Sequence, residues 1–189
     1  MALTKLQDGG SNLTGAIAPM RLLLNATISS AVSEYDIDST YINSTHDNYF
    51  CIFNFRGAGD NEDLAFRVFV GGTVQTGDIY GYEIAALSSS TYEQNNATGL
   101  GKFNVTNIGN AAGENISGHF YMHNVNSTTH PFNMMGQSTQ YNTSALPNSN
   151  LFSNHLIPAN VANVVNGIRF YFTSGGNIAD GNIKLYGIL

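Results

Sequence analysis

Acidic residues gather in short runs of this chain, where they could act as an acid–base pair or as ligands for a cation. The densest run, Asp60-Asn61-Glu62-Asp63, offers four oxygen-bearing side chains, and oxygen is the ligand that Ca²⁺ prefers. The run lacks the spacing of an EF-hand loop, and Asp in a turn commonly accepts hydrogen bonds from the local backbone. We therefore predict a structural turn, with no metal site and no catalytic carboxylate pair, and keep calcium binding as the alternative.

The histidines and the single cysteine do not form a catalytic or metal-binding pattern. His119 and His123 share a face of a predicted strand, but two strand repeats separate them by about 13 Å, which is too far for one metal ion. Cys51 lies in the apolar run Tyr49–Phe53 and reads as a small buried core residue. Phosphate-binding glycine loops and nucleophile–base triads are not found in the sequence. We predict no enzymatic activity and no cofactor.

Tyrosines are the one group whose chemistry favours a functional interpretation. A flat phenol ring can stack on a sugar, but tyrosine is also enriched in protein interfaces and in cross-strand pairs of ordinary sheets. Interface or sheet packing is the favoured interpretation, and binding of a host glycan is the alternative. The candidate contacts, all in predicted strands, are Tyr80, Tyr82, Tyr121, Tyr171 and Tyr186.

The composition excludes several classes of partner. Charged residues make up 11% of the 189 residues, less than half of the usual share of about 25%. The net charge is −6, and the seven Lys+Arg form no basic run, so nucleic acid is not an expected partner. No apolar stretch approaches the length of about 20 residues that spans a membrane. The start of the chain lacks the pattern of a signal peptide, which predicts synthesis in a cytoplasm.

The last 25 residues, Val165–Leu189, contain two alternating segments joined by a glycine-rich loop. Ile168, Phe170 and Phe172 share one face of the first segment, and Ile183 and Leu185 share one face of the second. Residues 174–177, Ser-Gly-Gly-Asn, tolerate the positive φ of a turn. We predict a hairpin that closes a β-sandwich.

Further strands are predicted from the same alternation, with glycine or Asx turns between them. Residues 88–101 and most of 126–150 are polar and are predicted to be loops, and 156–165 to be a connector with one helical turn near 158–160. We predict an all-β, jelly-roll-like antiparallel β-sandwich of about eight strands over residues 21–189, preceded by an extended N-terminal arm, residues 1–20. The other predicted strands are 21–28 (a short helix is the alternative), 49–55, 64–70, 79–87, 102–108, 116–125 and a strand near 134–141.

The ending IRFYFTSGGNIADGNIKLYGIL resembles the close of a diffuse group of tailed-bacteriophage virion proteins. Those proteins end in an aromatic-rich strand, an S-G-N-type loop and a G-x-I/F-x-L-Y-G-I/L terminus. Looser matches to the same group lie at Tyr49–Phe53, Asp63–Arg67 and Ile79–Tyr82, and the start MALTKL is common in phage fibre and decoration proteins.

The resemblance implies a jelly-roll-like structural component of the head or the tail, without enzymatic activity. Our first hypothesis is a capsid decoration or head-fibre protein located on the virion. It would form a homo-oligomer, with a trimer favoured, and its N-terminal arm would attach it to another virion protein such as the major capsid protein. The second hypothesis is a tail-associated receptor-binding module that recognises host surface glycan.

Overall fold

Two antiparallel β-sheets enclose one hydrophobic core, which confirms the predicted all-β sandwich. The structure, a computed structural model, describes residues 19–87, 92–98, 100–105, 107–160 and 163–189. The predicted arm therefore lies outside the described residues except for Pro19 and Met20. In the described ranges the strands are β1 Met20–Ile28, β2 Glu34–Ile37, β3 Asn48–Gly57, β4 Leu64–Val70, β5 Thr73–Val74, β6 Tyr80–Leu87, β7 Tyr92–Thr98, β8 Gly101–Lys102, β9 Ile116–His123, β10 Asn133–Tyr141, β11 Pro147–Leu156, β12 Val165–Phe172 and β13 Ile178–Ile188, with one 3₁₀ turn at Pro158–Asn160.

The strand pairings nest as they do in a jelly roll. The large sheet has the order β1-β13-β3-β9-β10-β11-β6-β7, and the small sheet has the order β2-β12-β4-β5, with β8 also paired to β4. Thus β1 pairs with β13, β2 with β12, β3 with β9 and β4 with β5, which is the rolled-up arrangement of a jelly roll. The expected number of about eight strands is too low. Strands β6, β7, β10 and β11 extend the large sheet beyond β9, and β8 adds to the edge of β4.

The last two strands do not form the predicted hairpin. β12 lies in the small sheet between β2 and β4, whereas β13 lies in the large sheet between β1 and β3. The loop between them crosses from one sheet to the other, and Gly175 in this loop has a φ of +83°. Phe170 and Leu185 are both buried and reach the same core from opposite sides. Alternation identified the buried face of each strand correctly but not its neighbours.

The sequence pattern does not predict strand β11, because most of the side chains on its inner face are asparagine amides rather than hydrocarbons. Asn148, Asn150 and Asn154 are all buried there. The neighbouring strand β10 contributes Ser138, whose hydroxyl donates to the Phe103 carbonyl at 2.7 Å. Ser138 and Asn154 hold a segment, residues 101–103, that runs between the two sheets. Of the strand predicted at 102–108, β8 includes only Lys102.

Phe103, on this inserted segment, lies at the centre of the core. Its ring centroid is within 6 Å of five other phenylalanine rings, drawn from both sheets, and it is fully buried. Aromatic pairs at such distances stabilise a core beyond their buried area. The ring partners are Phe53, Phe66, Phe120, Phe152 and Phe170.

Candidate interaction surface

Two of the five candidate tyrosines belong to the core, so the prediction that they contact a partner is wrong. Tyr80 is 1% exposed and Tyr82 is 6% exposed. The Tyr80 hydroxyl donates to the Gln75 carbonyl at 2.8 Å and accepts from the Val68 amide at 3.0 Å. Burial is the main cause that raises the pKa of Tyr80 to about 12. The hydroxyl of Tyr80 thus joins β6 to the β4–β5 hairpin, and its buried ring is not accessible for stacking on a sugar.

Tyr171 lies on the outer face of the small sheet, within a set of charged and aromatic contacts. The guanidinium carbon of Arg67 is 5.1 Å from the centroid of its ring. On the same strand, Arg169 donates to both carboxylate oxygens of Asp36 at 2.7 Å, and these bonds are the main cause that raises its pKa. Arg169 also pairs with Glu34 at 2.8 Å. Arg169 thus pairs with both Asp36 and Glu34 within the chain.

Tyr121 and Tyr186 lie together on the outer face of the large sheet, on either side of Phe50. The ring centroids of Phe50 and Tyr121 are 4.7 Å apart, and those of Phe50 and Tyr186 are 6.2 Å apart. The strand register continues this row to Leu22 on one side and Met135 on the other. An aromatic and apolar row therefore crosses five neighbouring strands of the sheet.

This outer face, formed by β1, β13, β3, β9, β10, β11 and β6, carries most of the exposed apolar side chains. Ten large apolar side chains are exposed in the described part of the chain, and the register places eight of them here. Contiguous exposed apolar surface of this kind marks an interaction site rather than an ordinary solvent-facing sheet. The eight are Met20, Leu22, Ile52, Leu87, Tyr121, Met135, Tyr141 and Leu151.

The same face is electrically neutral. Its described charges are the Arg56–Asp180 ion pair at one end, Lys184 on β13 and Glu83 on β6. Two cations thus balance two anions on a protein whose net charge is −6. Depletion of charge with enrichment of aromatic residues and Met is the composition of an interface core.

Two neighbouring depressions lie in this face. The first has a volume of about 480 Å³ and is lined by Tyr121, Met135 and Leu151, with Glu83 and His119 as its polar groups. The second, of about 500 Å³, includes Ile52 and Gln137 among its lining residues. Volumes in this range suit a small ligand or the side chains of a partner.

The acidic turn does not form a cation site in the residues that the structure describes. Asp60 accepts from the backbone amide of Asn110 at 3.0 Å, and Glu62 accepts from the Ser174 hydroxyl. Asp63 pairs with Lys102 at 2.7 Å. Each carboxylate thus has its own separate partner, and among the described residues no three His, Cys, Asp or Glu side chains come together. The run joins segments that lie 39 to 112 residues apart in the chain, whereas the turn interpretation expected hydrogen bonds with the local backbone.

His119 and His123 lie on the opposite face of the large sheet from Cys51. His119 and His123 share the outer face of β9, as predicted, and His123 lies 3.0 Å from the Asn48 side chain through Nδ1. Cys51 is fully buried, and burial raises the pKa of its thiol well above the usual value. A thiol in that position is not a reactive nucleophile.

No family model, curated protein or solved structure matches this chain. The residues that the structure describes include no helix long and apolar enough to cross a membrane. A function therefore has to be inferred from the jelly-roll fold and from the outer face of the large sheet.

Proposed function

We propose that this protein is a structural component of a bacteriophage particle, a capsid decoration or head-fibre protein whose copies associate. The observation that carries this proposal is the neutral, apolar outer face of the large sheet, where eight of the ten large apolar side chains that are exposed in the described ranges gather. Exposed apolar surface concentrated on one face favours a site that binds another surface. The resemblance of residues 168–189 to phage virion proteins supports the assignment to a phage.

The proposed mechanism is assembly rather than turnover. Among the residues that the structure describes, β1 pairs only with β13 and so lies at an edge of the large sheet. Residues 1–18 precede it in the sequence. An arm at that position can add backbone hydrogen bonds to a sheet edge of another virion protein, such as the major capsid protein. Because a shell presents many equivalent sites to an oligomer, modest contacts add up to stable attachment.

Deleting residues 1–18 tests the attachment, because β1 stays intact. We expect the truncated protein to fold and to associate as before, but to be missing from purified particles. The control replaces the same residues with a flexible Gly/Ser segment of equal length, which should also fail to attach. Unchanged occupancy of the truncated protein would refute the anchoring role, and absence of the intact protein from particles would refute the virion assignment.

A receptor-binding module that recognises host glycan is the second candidate, and one observation favours it. Tyr121 is 39% exposed and lines the 480 Å³ depression together with Glu83, His119 and Gln137. An aromatic ring beside hydrogen-bonding groups suits a sugar ring. A glycan array should then show a binder whose signal falls in Tyr121→Ala but not in Tyr171→Ala, because Tyr171 lies on the opposite sheet. An array without a binder would reject this candidate.

A further inference from the structure

We propose that the outer face of the large sheet packs against the same face of a second copy of this chain. In this pair, β13 of one copy lies over β6 of the other, and these two strands are called the flanks of the face. This inference deepens the proposed function and rests on it only in assuming that copies associate. Three observations support it: the order of side chains across the sheet, the positions of two unpaired charges, and the shape of the face.

One row of outer-face side chains, which crosses six strands of the sheet, is complementary to the same row of a second copy when the strand order of that copy is reversed. The midpoint of the row falls between β9 and β10. A two-fold axis along the strands at that point places Ile52 of one copy opposite Leu151 of the other, and His119 opposite Gln137. Apolar then meets apolar and polar meets polar. In order across β13, β3, β9, β10, β11 and β6, the row reads Lys184, Ile52, His119, Gln137, Leu151 and Ala85.

The adjacent row matches in the same arrangement. Reversal places Tyr121 of one copy opposite Met135 of the other, and sulfur–aromatic contacts of this kind are favourable. Phe50 falls opposite Ser153, whose small side chain leaves room for the ring. In order across the same strands, the row reads Tyr186, Phe50, Tyr121, Met135, Ser153 and Glu83.

The charges of the face are placed for contact between copies. Lys184 and Glu83 are both exposed, and neither has an ion-pair partner in the part of the chain that the structure describes. Five strand spacings of about 4.8 Å keep them about 24 Å apart within one copy. The two-fold axis places Lys184 of each copy over Ala85 on β6 of the other copy. Glu83 is the next residue on the same face of β6, about 7 Å along the strand. A lysine side chain spans that distance, so the pair gains two ion pairs between copies.

The shape of the face also suits a copy of itself. Leu151 is 55% exposed and stands up from β11. In the paired arrangement it enters the partner's depression of about 500 Å³, which Ile52 lines. Because the axis relates the two flanks, both copies make this contact.

Sedimentation of the full chain over a range of concentrations tests the surface. We expect wild-type protein to self-associate and Leu151→Lys to associate at least about tenfold more weakly, because a lysine would be buried where a leucine packs. Thr73→Lys is the matched control, since Thr73 is exposed on the small sheet and the same substitution there should leave association unchanged. Thermal unfolding of each variant checks that the fold is intact.

A charge exchange tests the pairing of flanks. Lys184→Glu and Glu83→Lys should each weaken association about fivefold, and the double variant should restore it. Mixing the two single variants should restore it fully, because a two-fold pair of the unlike variants forms both ion pairs. Only partial recovery, as in a ring of three, would contradict the two-fold pairing. The proposed pairing would be overturned if the double variant did not recover association. It would also be overturned if the wild-type chain were monomeric, or if Leu151→Lys and Thr73→Lys weakened association equally. A monomeric chain that still occupies particles would refute the association of copies and leave the location on the virion standing. A chain that associates but is absent from particles would refute the location on the virion and leave the pairing of copies standing.

Discussion

The side-chain amide of Asn154 makes two hydrogen bonds with the backbone of Lys102, as a neighbouring strand would. Its Oδ1 accepts from the Lys102 amide at 3.0 Å, and its Nδ2 donates to the Lys102 carbonyl at 2.9 Å. Asn154 is fully buried. This contact fixes the segment that carries Phe103 between the two sheets, so one polar side chain positions the centre of an apolar core.

Replacing Asn154 with Leu should therefore destabilise the fold despite the apolar surroundings. The substitution leaves two backbone groups of Lys102 without partners in a buried site, and each such group costs about 1–3 kcal/mol. We expect the free energy of unfolding to fall by about 2–4 kcal/mol in urea denaturation. Asn25→Leu, at an exposed position of β1, is the control and should change it by less than about 0.5 kcal/mol. Equal effects of the two variants would contradict the role of Asn154.

Removing the Tyr80 hydroxyl should also destabilise the fold. Tyr80→Phe deletes the group that bridges Gln75 and Val68, and we expect a loss of about 1–2 kcal/mol. Tyr171→Phe, on the outer face of the small sheet, should cost little. Chemical denaturation of both variants at neutral pH compares the two sites directly.

The stability of the wild-type protein should depend on Tyr80 at alkaline pH. Burial raises the pKa of this residue from 10.0 to about 12, so the unfolded chain loses the proton first as the pH rises. The contribution is complete below pH 10 and is lost between pH 10 and about pH 12. Thermal unfolding of Tyr80→Phe should fall less steeply over that range than unfolding of the wild type. Parallel curves would show that Tyr80 does not titrate with unfolding.

Gly176, in the loop that crosses between the sheets, should not tolerate alanine. A Cβ at this position would overlap the carboxylate of Glu62, which is itself buried and bonded to Ser174. Moving that carboxylate costs about 1–3 kcal/mol. At Gly77 an added Cβ meets no atom within 4 Å, so Gly77→Ala is the matched control. Melting temperatures of the two variants should differ clearly, and a neutral Gly176→Ala would contradict the packing of Glu62.

Cross-linking should detect the proposed pairing at residue resolution. Packed sheets lie about 10 Å apart, which is beyond the reach of a disulfide, so a short bis-maleimide is the suitable reagent. Ile52→Cys mixed with Leu151→Cys should give a cross-linked dimer. Ile52→Cys mixed with Thr73→Cys should not. The native Cys51 is fully buried and does not compete for the reagent.

The sequence predicted best where alternation and hydrophobicity agree. β4 begins at Leu64 and ends at Val70, as its alternating pattern indicates, and Cys51 of β3 is buried as predicted. The sequence does not predict β11, because its buried positions hold Asn148, Asn150 and Asn154, and polar residues at every second position do not indicate a buried face. Asn154 is paired with Lys102, 52 residues away in the chain, and local periodicity cannot predict that contact. The pairing of β12 and β13 with other strands depends on contacts far apart in the chain, which local periodicity does not encode.

The candidate surface was only partly predictable for a related reason. Alternation shows which residues share a face, but not which face is buried when both carry aromatic groups. In β6 the tyrosines point inward, whereas in β3 Phe50 and Ile52 point outward beside a fully apolar inner face. The continuous apolar run Tyr49–Phe53 was the signal that both faces of β3 carry apolar side chains.

A cryo-EM map of the purified phage particle tests the central claim most directly. We predict density for this jelly roll in which the outer face of the large sheet lies against a neighbouring copy, with Lys184 of one copy beside Glu83 of the next and the charged face of the small sheet turned to solvent. A particle without this chain, or one in which Met135 and Leu151 face solvent, would contradict the account.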